Sequence, residues 1–263
     1  MGQIIVLTSG KGGVGKTTSA AGLGAALSLL EQRTVVVDLD MGLRKLDLTT
    51  GVSDYSTRHW GDVIQKNCTL EEALLPHPHY LSLFILPAPQ VGMHSDYTEE
   101  EMNGLYQMLS QQFDFVLIDC PAGAEQGFFN AICGAQKALI VVQCETASVR
   151  DSDKIARLLT EKGIDDLQLI INRYQPQLVS EGVLLSIEQV MDAVKLPLAG
   201  IVHEDTALIK AGNTGEPIFL SPDSKGAVCY KNIAKRLIGK EVPLAVFKKP
   251  SFFNRLKQLQ KKK

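Results

Sequence analysis

No stretch of this sequence comes near the ~18 uninterrupted apolar residues that a membrane-crossing helix needs, so no segment is expected to span a bilayer as a helix. Disulfide and zinc signatures are missing as well. The five cysteines (Cys68, Cys120, Cys133, Cys144 and Cys229) are scattered, odd in number and without a C-x-x-C pair. That spacing supports neither a disulfide framework nor a zinc site and suits a reducing compartment. No charged leader or small-residue cleavage site precedes the first apolar run, Ile4–Leu7, so a cytoplasmic location is expected. Aromatic residues are few, with a single tryptophan, and there is neither an internal repeat nor a low-complexity linker before Pro243. Net charge is only −2, which gives no global reason to expect a nucleic-acid partner. Its distribution is uneven, however. From Lys248 to the end there are seven basic residues and no acid, which leaves the preceding body at −9. A basic tail on an acidic body points to an anionic partner.

Short runs of Val, Ile and Leu recur along most of the 263 residues, separated by helical stretches. Strands are predicted at Ile4–Leu7, Thr34–Asp38, Leu81–Leu86, Phe115–Asp119, Ala138–Cys144, Leu167–Asn172 and Leu198–Val202. Their near-continuous apolar character suits parallel strands buried on both faces. Helices are predicted at Lys16–Glu31, Glu99–Gln112, Ser148–Lys162, Ser186–Val194, Asp205–Ala211 and Lys225–Ile238. This rhythm predicts an α/β fold, a doubly wound and mostly parallel sheet flanked by helices. Residues 1–244 are expected to form one domain and 245–263 an appended tail. The stretch Val52–His94 is the least regular, and loops and short helices are expected around its one strand.

Gly10-Lys11-Gly12-Gly13-Val14-Gly15-Lys16-Thr17 fits G-x-x-x-x-G-K-[ST], with a predicted strand before it and a helix after it. Glycines let backbone N–H groups turn inward around phosphate oxygens, and a helix N-terminus adds partial positive charge. Lys16 would reach the β- and γ-phosphates, and Thr17 would offer its hydroxyl to Mg2+. The apolar strand Phe115–Asp119 ends in a carboxylate able to hold a water of the Mg2+ shell. Asp38 and Asp40 close the second strand and could orient or accept a proton from an attacking water. ATP and Mg2+ are thus the expected cofactors, and hydrolysis the expected reaction. Lys11 is surplus to such a loop. From the outer rim it could reach the nucleotide of a second subunit and supply positive charge to the transition state there.

The tail has its own pattern. Phe252, Phe253, Leu256 and Leu259 fall on one helical stripe, with Arg255 and Lys257 elsewhere, after Pro250 and a capping Ser251. A short, basic, aromatic and amphipathic helix suits the surface of an anionic membrane. His77 and His79 flank Pro78 with no third ligand positioned, and Trp60 and Tyr55 have no assignable role.

The segment Lys11–Thr18 resembles the deviant Walker A motif of the MinD/ParA family of ATPases, and Asp38–Arg44 and Asp119–Gly123 resemble its two switches. Gly42–Asp47, Ser148–Asp153, Asn172-Arg173-Tyr174 and Ala211–Pro217 are similar to the MinD branch in particular. The resemblance covers nearly the whole chain. It implies a Mg-ATPase that dimerises face to face around two ATP molecules and positions the division septum by recruiting a division inhibitor. Lys11 would act in trans, Asp40 would position water, and Asp38 and Asp119 would support Mg2+. The loop through Thr18 would hold nucleotide, with Asn172 at the adenine and Arg173 beside it. Arg150, Asp151 and Asp153 would face a MinC-like inhibitor and a MinE-like activator, although a solvated charged helix face explains them equally. The tail would bind the inner face of the cell membrane reversibly. Lys45, Cys120 and His203 depart from the family pattern and put its partner contacts in question. Alternatives are a flagellar placement or number ATPase, a ParA-type DNA partitioner (against which the acidic body weighs) and an ATP-switched scaffold with little turnover.

Overall fold

The computed structural model describes residues 1–40, 45–52, 58–89, 97–121, 123, 126–221 and 223–244. Its strands are β1 (Gln3–Thr8), β2 (Thr34–Asp38), β3 (Leu75–Pro76), β4 (Leu83–Leu86), β5 (Phe115–Asp119), β6 (Lys137–Val142), β7 (Asp166–Tyr174) and β8 (Leu198–His203). They form one sheet in the order β3-β4-β2-β5-β1-β6-β7-β8, parallel throughout except where β3 runs antiparallel to β4. Between them lie α1 (Lys16–Ser28), α2 (Lys45–Thr50), α3 (Trp60–Ile64), α4 (Leu70–Ala73), α5 (Glu99–Gln112) and α6 (Gln126–Ile132). These are followed by α7 (Thr146–Glu161), α8 (Pro176–Ser180), α9 (Ile187–Val194), α10 (Thr206–Thr214) and α11 (Lys225–Leu237).

Alternation of side chains along the strands divides the core in two. Ile5, Leu7, Val36, Leu117 and Leu139 meet α1 and α11 on one face. Val6, Val37, Val116, Ile118 and Ile140 meet α5, α6, α7 and α9 on the other. The strands are apolar at nearly every position because each face needs its own apolar partner, so the predicted doubly wound sheet is the one observed. It places the ends of β1, β2 and β5 side by side, with Ile4 opposite Val116 and Val37 opposite Ile118. Ligands of open parallel sheets bind at that carboxyl edge.

The departures are in short elements. Helices α2, α3, α4, α6 and α8 have four to seven residues, too few for a 3.6-residue period to show. Two of them nonetheless carry capping boxes, His59 with Asp62 and Thr69 with Glu72. The second is a readable T-x-x-E signature. Strand β3 is a two-residue edge pairing that includes Pro76, tolerable only at an edge because proline lacks the N–H. Among the described residues, no helix is long and apolar enough to cross a membrane.

Candidate functional site

The glycine-rich loop runs from the end of β1 into α1. Gly15 caps α1 with φ 99°, a left-handed conformation. A Cβ there would come 2.2 Å from Nδ2 of Asn172, so glycine is required on both counts. That same amide nitrogen donates to the Val14 carbonyl at 2.8 Å, and Asn172 is buried. Asn172, at the far end of β7, therefore braces the loop from behind. Lys16 is 8 % exposed, and its ammonium donates to the Ser9 hydroxyl at 3.0 Å; Ser9 in turn donates to the Lys11 carbonyl at 2.8 Å. A buried ammonium at this position places positive charge at the mouth of the loop. In front of it lies a cleft of about 420 Å3 lined by Gly13, Lys16, Thr17, Thr18, Asp40 and Arg173, among others.

Asp38 and Asp119 end neighbouring strands in direct register, and each is 1 % exposed. Asp38 accepts from the backbone N–H groups of Asp40 (2.9 Å) and Leu46 (3.4 Å). Burial, followed by the like charge of Asp119, pushes its carboxyl up to about 8 despite those donors. Two carboxyls at such spacing are costly alone and relieved by a cation. The pair therefore fits Mg2+ held beside Thr17 and the phosphates. Cys120 follows and lines the same cleft. Burial pushes its thiol up to about 12, so it stays a neutral packing group.

Lys11 lies outside the cleft that its own loop encloses. Its ammonium is 2.9 Å from the carboxylate of Glu145, the residue that caps α7, and both side chains are close to half exposed. Sequence reasoning missed Glu145, because 134 residues separate the pair. A second cavity of about 180 Å3 adjoins the phosphate cleft and is lined by Asn172, Arg173, His203, Asp205, Leu208 and Asn213, among others. Arg173 lines both, and its φ of 52° is left-handed, uncommon for a side-chain-bearing residue. Asp205 is held by N–H donors from Ala207 and Gly226 and by the Ser224 hydroxyl. The Ala211–Pro217 segment was legible as a signature but not as a cavity wall.

On α7, Arg150 is exposed, whereas Asp151 and Asp153 pair with Lys154 at 3.1 Å and Arg157 at 2.9 Å. The Asp151 backbone lies against the start of the loop: a Cβ on Gly10 would meet its carbonyl at 2.4 Å. His77 is buried, and its Nδ1 accepts the His79 N–H at 3.1 Å. Burial and then His79 lower its pKa to about 4, so this imidazole is committed internally. Phe252, Phe253, Arg255, Leu256, Lys257 and Leu259 lie outside the described residues, as does the side chain of Lys45. Upstream of the tail, the Arg236 guanidinium donates to the carbonyls of Val242, Pro243 and Ala199.

Residues 5–218 match the model of the CobQ/CobB/MinD/ParA nucleotide binding domain. The septum site-determining protein MinD of Bacillus subtilis (strain 168) is 42% identical over 248 residues, covering 94% of this chain and 92% of the relative. Among solved structures, a MinC:MinD cell division protein complex from Aquifex aeolicus superposes with a TM-score of 0.86 at 36% identity, covering 93% of this chain and 99% of that one. The Pyrococcus horikoshii septum site-determining protein MinD, complexed with Mg-ADP, superposes with a TM-score of 0.82 at 29% identity, covering 91% and 97%.

Proposed function

This chain belongs to the CobQ/CobB/MinD/ParA nucleotide-binding family and is a P-loop ATPase using ATP and Mg2+, and from that premise we propose that it dimerises on ATP, docks on the membrane and positions the division septum. The observation that carries the reading is the division of labour between two lysines of one loop. Lys16 is buried in the cleft, where it would neutralise the β- and γ-phosphates. Lys11 is half exposed outside it; released from Glu145, it would reach a second subunit's nucleotide. Asp38 and Asp119 would hold Mg2+ through water, Thr17 would ligate it, and Asp40 would orient the attacking water. Residues Gly10 to Thr18 would cradle the phosphates, with Asn172 and Arg173 at the base.

The basic tail would then act as a membrane foot. Burying four apolar side chains contributes at most ~1.5–3 kcal/mol each, and each nearby base ~1 kcal/mol on an anionic leaflet. Ordering some ten residues opposes this at ~1–2 kcal/mol per residue. One tail would hold weakly, whereas two on a dimer gain from effective concentration, so ATP occupancy would decide location. On this reading the protein is cytoplasmic and binds the inner membrane face reversibly. The α7 surface at Arg150, Asp151 and Asp153 would receive a MinC-like inhibitor and a MinE-like activator; the likeness to a chain solved in a MinC:MinD complex supports the inhibitor as a partner.

Co-sedimentation with anionic vesicles tests it. The wild-type chain should pellet with ATP and remain in the supernatant with ADP. Lys11→Ala should lose the difference, and Leu256→Glu should lose pelleting altogether. ATP-dependent pelleting unchanged in both variants would sink the coupled switch.

A further inference from the structure

The single tryptophan lies in no nucleotide-contacting segment, yet it is wired to one. The Trp60 indole Nε1–H donates to the backbone carbonyl of Asp38 at 2.8 Å, and Trp60 is 2 % exposed. Three contacts hold the ring in place. The capping box of His59 and Asp62 fixes the start of α3, and the Trp60 backbone N–H donates to the Pro87 carbonyl at 3.2 Å. Tyr97 lies edge-on, with ring centroids 4.7 Å apart. The Tyr97 carbonyl in turn accepts from the Asn130 amide at 3.3 Å. Asn130 belongs to α6, the next helix after β5. A buried aromatic pair thus joins the exit of β2 to the helix beyond β5.

The bond completes a two-sided hold on the Asp38–Leu39 peptide, whose own N–H donates to the Asp119 carbonyl at 3.1 Å. Rotating the Asp38–Leu39 peptide swings the Asp38 carbonyl and re-aims Asp40, whose N–H donates to the Asp38 carboxylate. A bulky indole with two torsions, packed on all sides, resists that rotation better than a water or a flexible side chain could. We propose that Trp60 is a positioning residue for ATP hydrolysis. Its N–H holds the end of β2 in the setting from which Asp38 would support Mg2+ and Asp40 would orient the attacking water, and Tyr97 couples that setting to α6. This rests on the reading of Asp38 and Asp40 as hydrolysis-site residues.

Because Trp60 is the only tryptophan, biosynthetic replacement by β-(3-benzothienyl)alanine changes one site, putting sulfur in place of the N–H within nearly the same shape. The substituted full-length chain should lose about 5- to 10-fold in kcat with KM for ATP within about twofold, as expected of one lost buried hydrogen bond. In the nucleotide-free protein, amide exchange at Asp40 and Leu46 should accelerate at least about fivefold, while amides within β1 stay unchanged. Trp60→Phe should repeat the pattern, showing that it follows the N–H and not the analogue. An unchanged kcat, unchanged exchange at those two amides, or uniform acceleration across the sheet would each overturn the proposal. Asp38→Ala separates the two levels. If it keeps ATPase activity, the site reading itself fails; if it abolishes activity while the sulfur analogue is silent, only the role of Trp60 falls.

Discussion

The two ends of the sheet treat charge in opposite ways. At the amino end, Lys137 and Asp166 open neighbouring strands in register, and their charges meet at 2.7 Å. Arg33 lies there too, its N–H bonded to the Asp114 carboxylate and its guanidinium 4.9 Å from the Phe113 ring centre. At the carboxyl end, register sets Asp38 against Asp119, like against like and almost without solvent. Parallel in-register pairing within one sheet produces both juxtapositions, so pairing geometry does not explain the difference. At the amino end opposite charges offset one another. The carboxyl end stores a repulsion that a bound cation would relieve, as expected of a functional site.

That contrast can be broken most sharply at Asp119. Asp119→Asn should reduce steady-state ATPase activity by about 100-fold or more, the scale of losing a charge-stabilising group. The same change should raise the melting temperature of the Mg2+-free, nucleotide-free protein at pH 8, by roughly 2–4 °C for each kcal/mol relieved. A drop in both quantities would contradict the stored repulsion.

A pH series sharpens the comparison further. The Asp38 pKa stands at about 8 in the folded chain against an ordinary 3.8. Between those values the folded state keeps a proton that the unfolded state has released, so this group's contribution to stability falls as pH rises from about 4 through 8. Below about pH 6.5 His77, lowered to about 4, contributes the opposite slope, so urea midpoints of the Mg2+-free wild type should decline between about pH 6.5 and 8, and Asp119→Asn should lessen the decline. Saturating Mg2+ with nucleotide should remove it, because the cation favours the ionised form. The smallest effect belongs to the amino end. Lys137→Met should cost about 1 kcal/mol or less, since Asp166 is half exposed and regains water. ATPase activity should not change.

Legibility followed the range of each interaction. Strands β2 and β5 and helix α5 were predicted with their observed bounds because burial on one or both faces dictates a local pattern. The loop and its flanking acids were readable for the same reason, since phosphate binding needs consecutive backbone N–H groups. Glu145 beside Lys11, Asn172 behind Gly15 and Trp60 under Asp38 were not readable as contacts. Their partners lie 134, 157 and 22 residues away, and no periodicity links them. Asn172 was expected at the base of the nucleotide; the structure adds that its amide also bonds the Val14 carbonyl.

By itself, then, the sequence determined the α/β class, the phosphate loop with its two lysines and the charge asymmetry between body and tail. Each is written in neighbouring residues, where backbone geometry and local burial act directly. Only the tertiary structure decided that Asp38 faces Asp119, that Lys11 is turned outward to Glu145 and that the lone indole holds the end of β2. Strand order and loop packing create those meetings, and they depend on the whole chain folding at once.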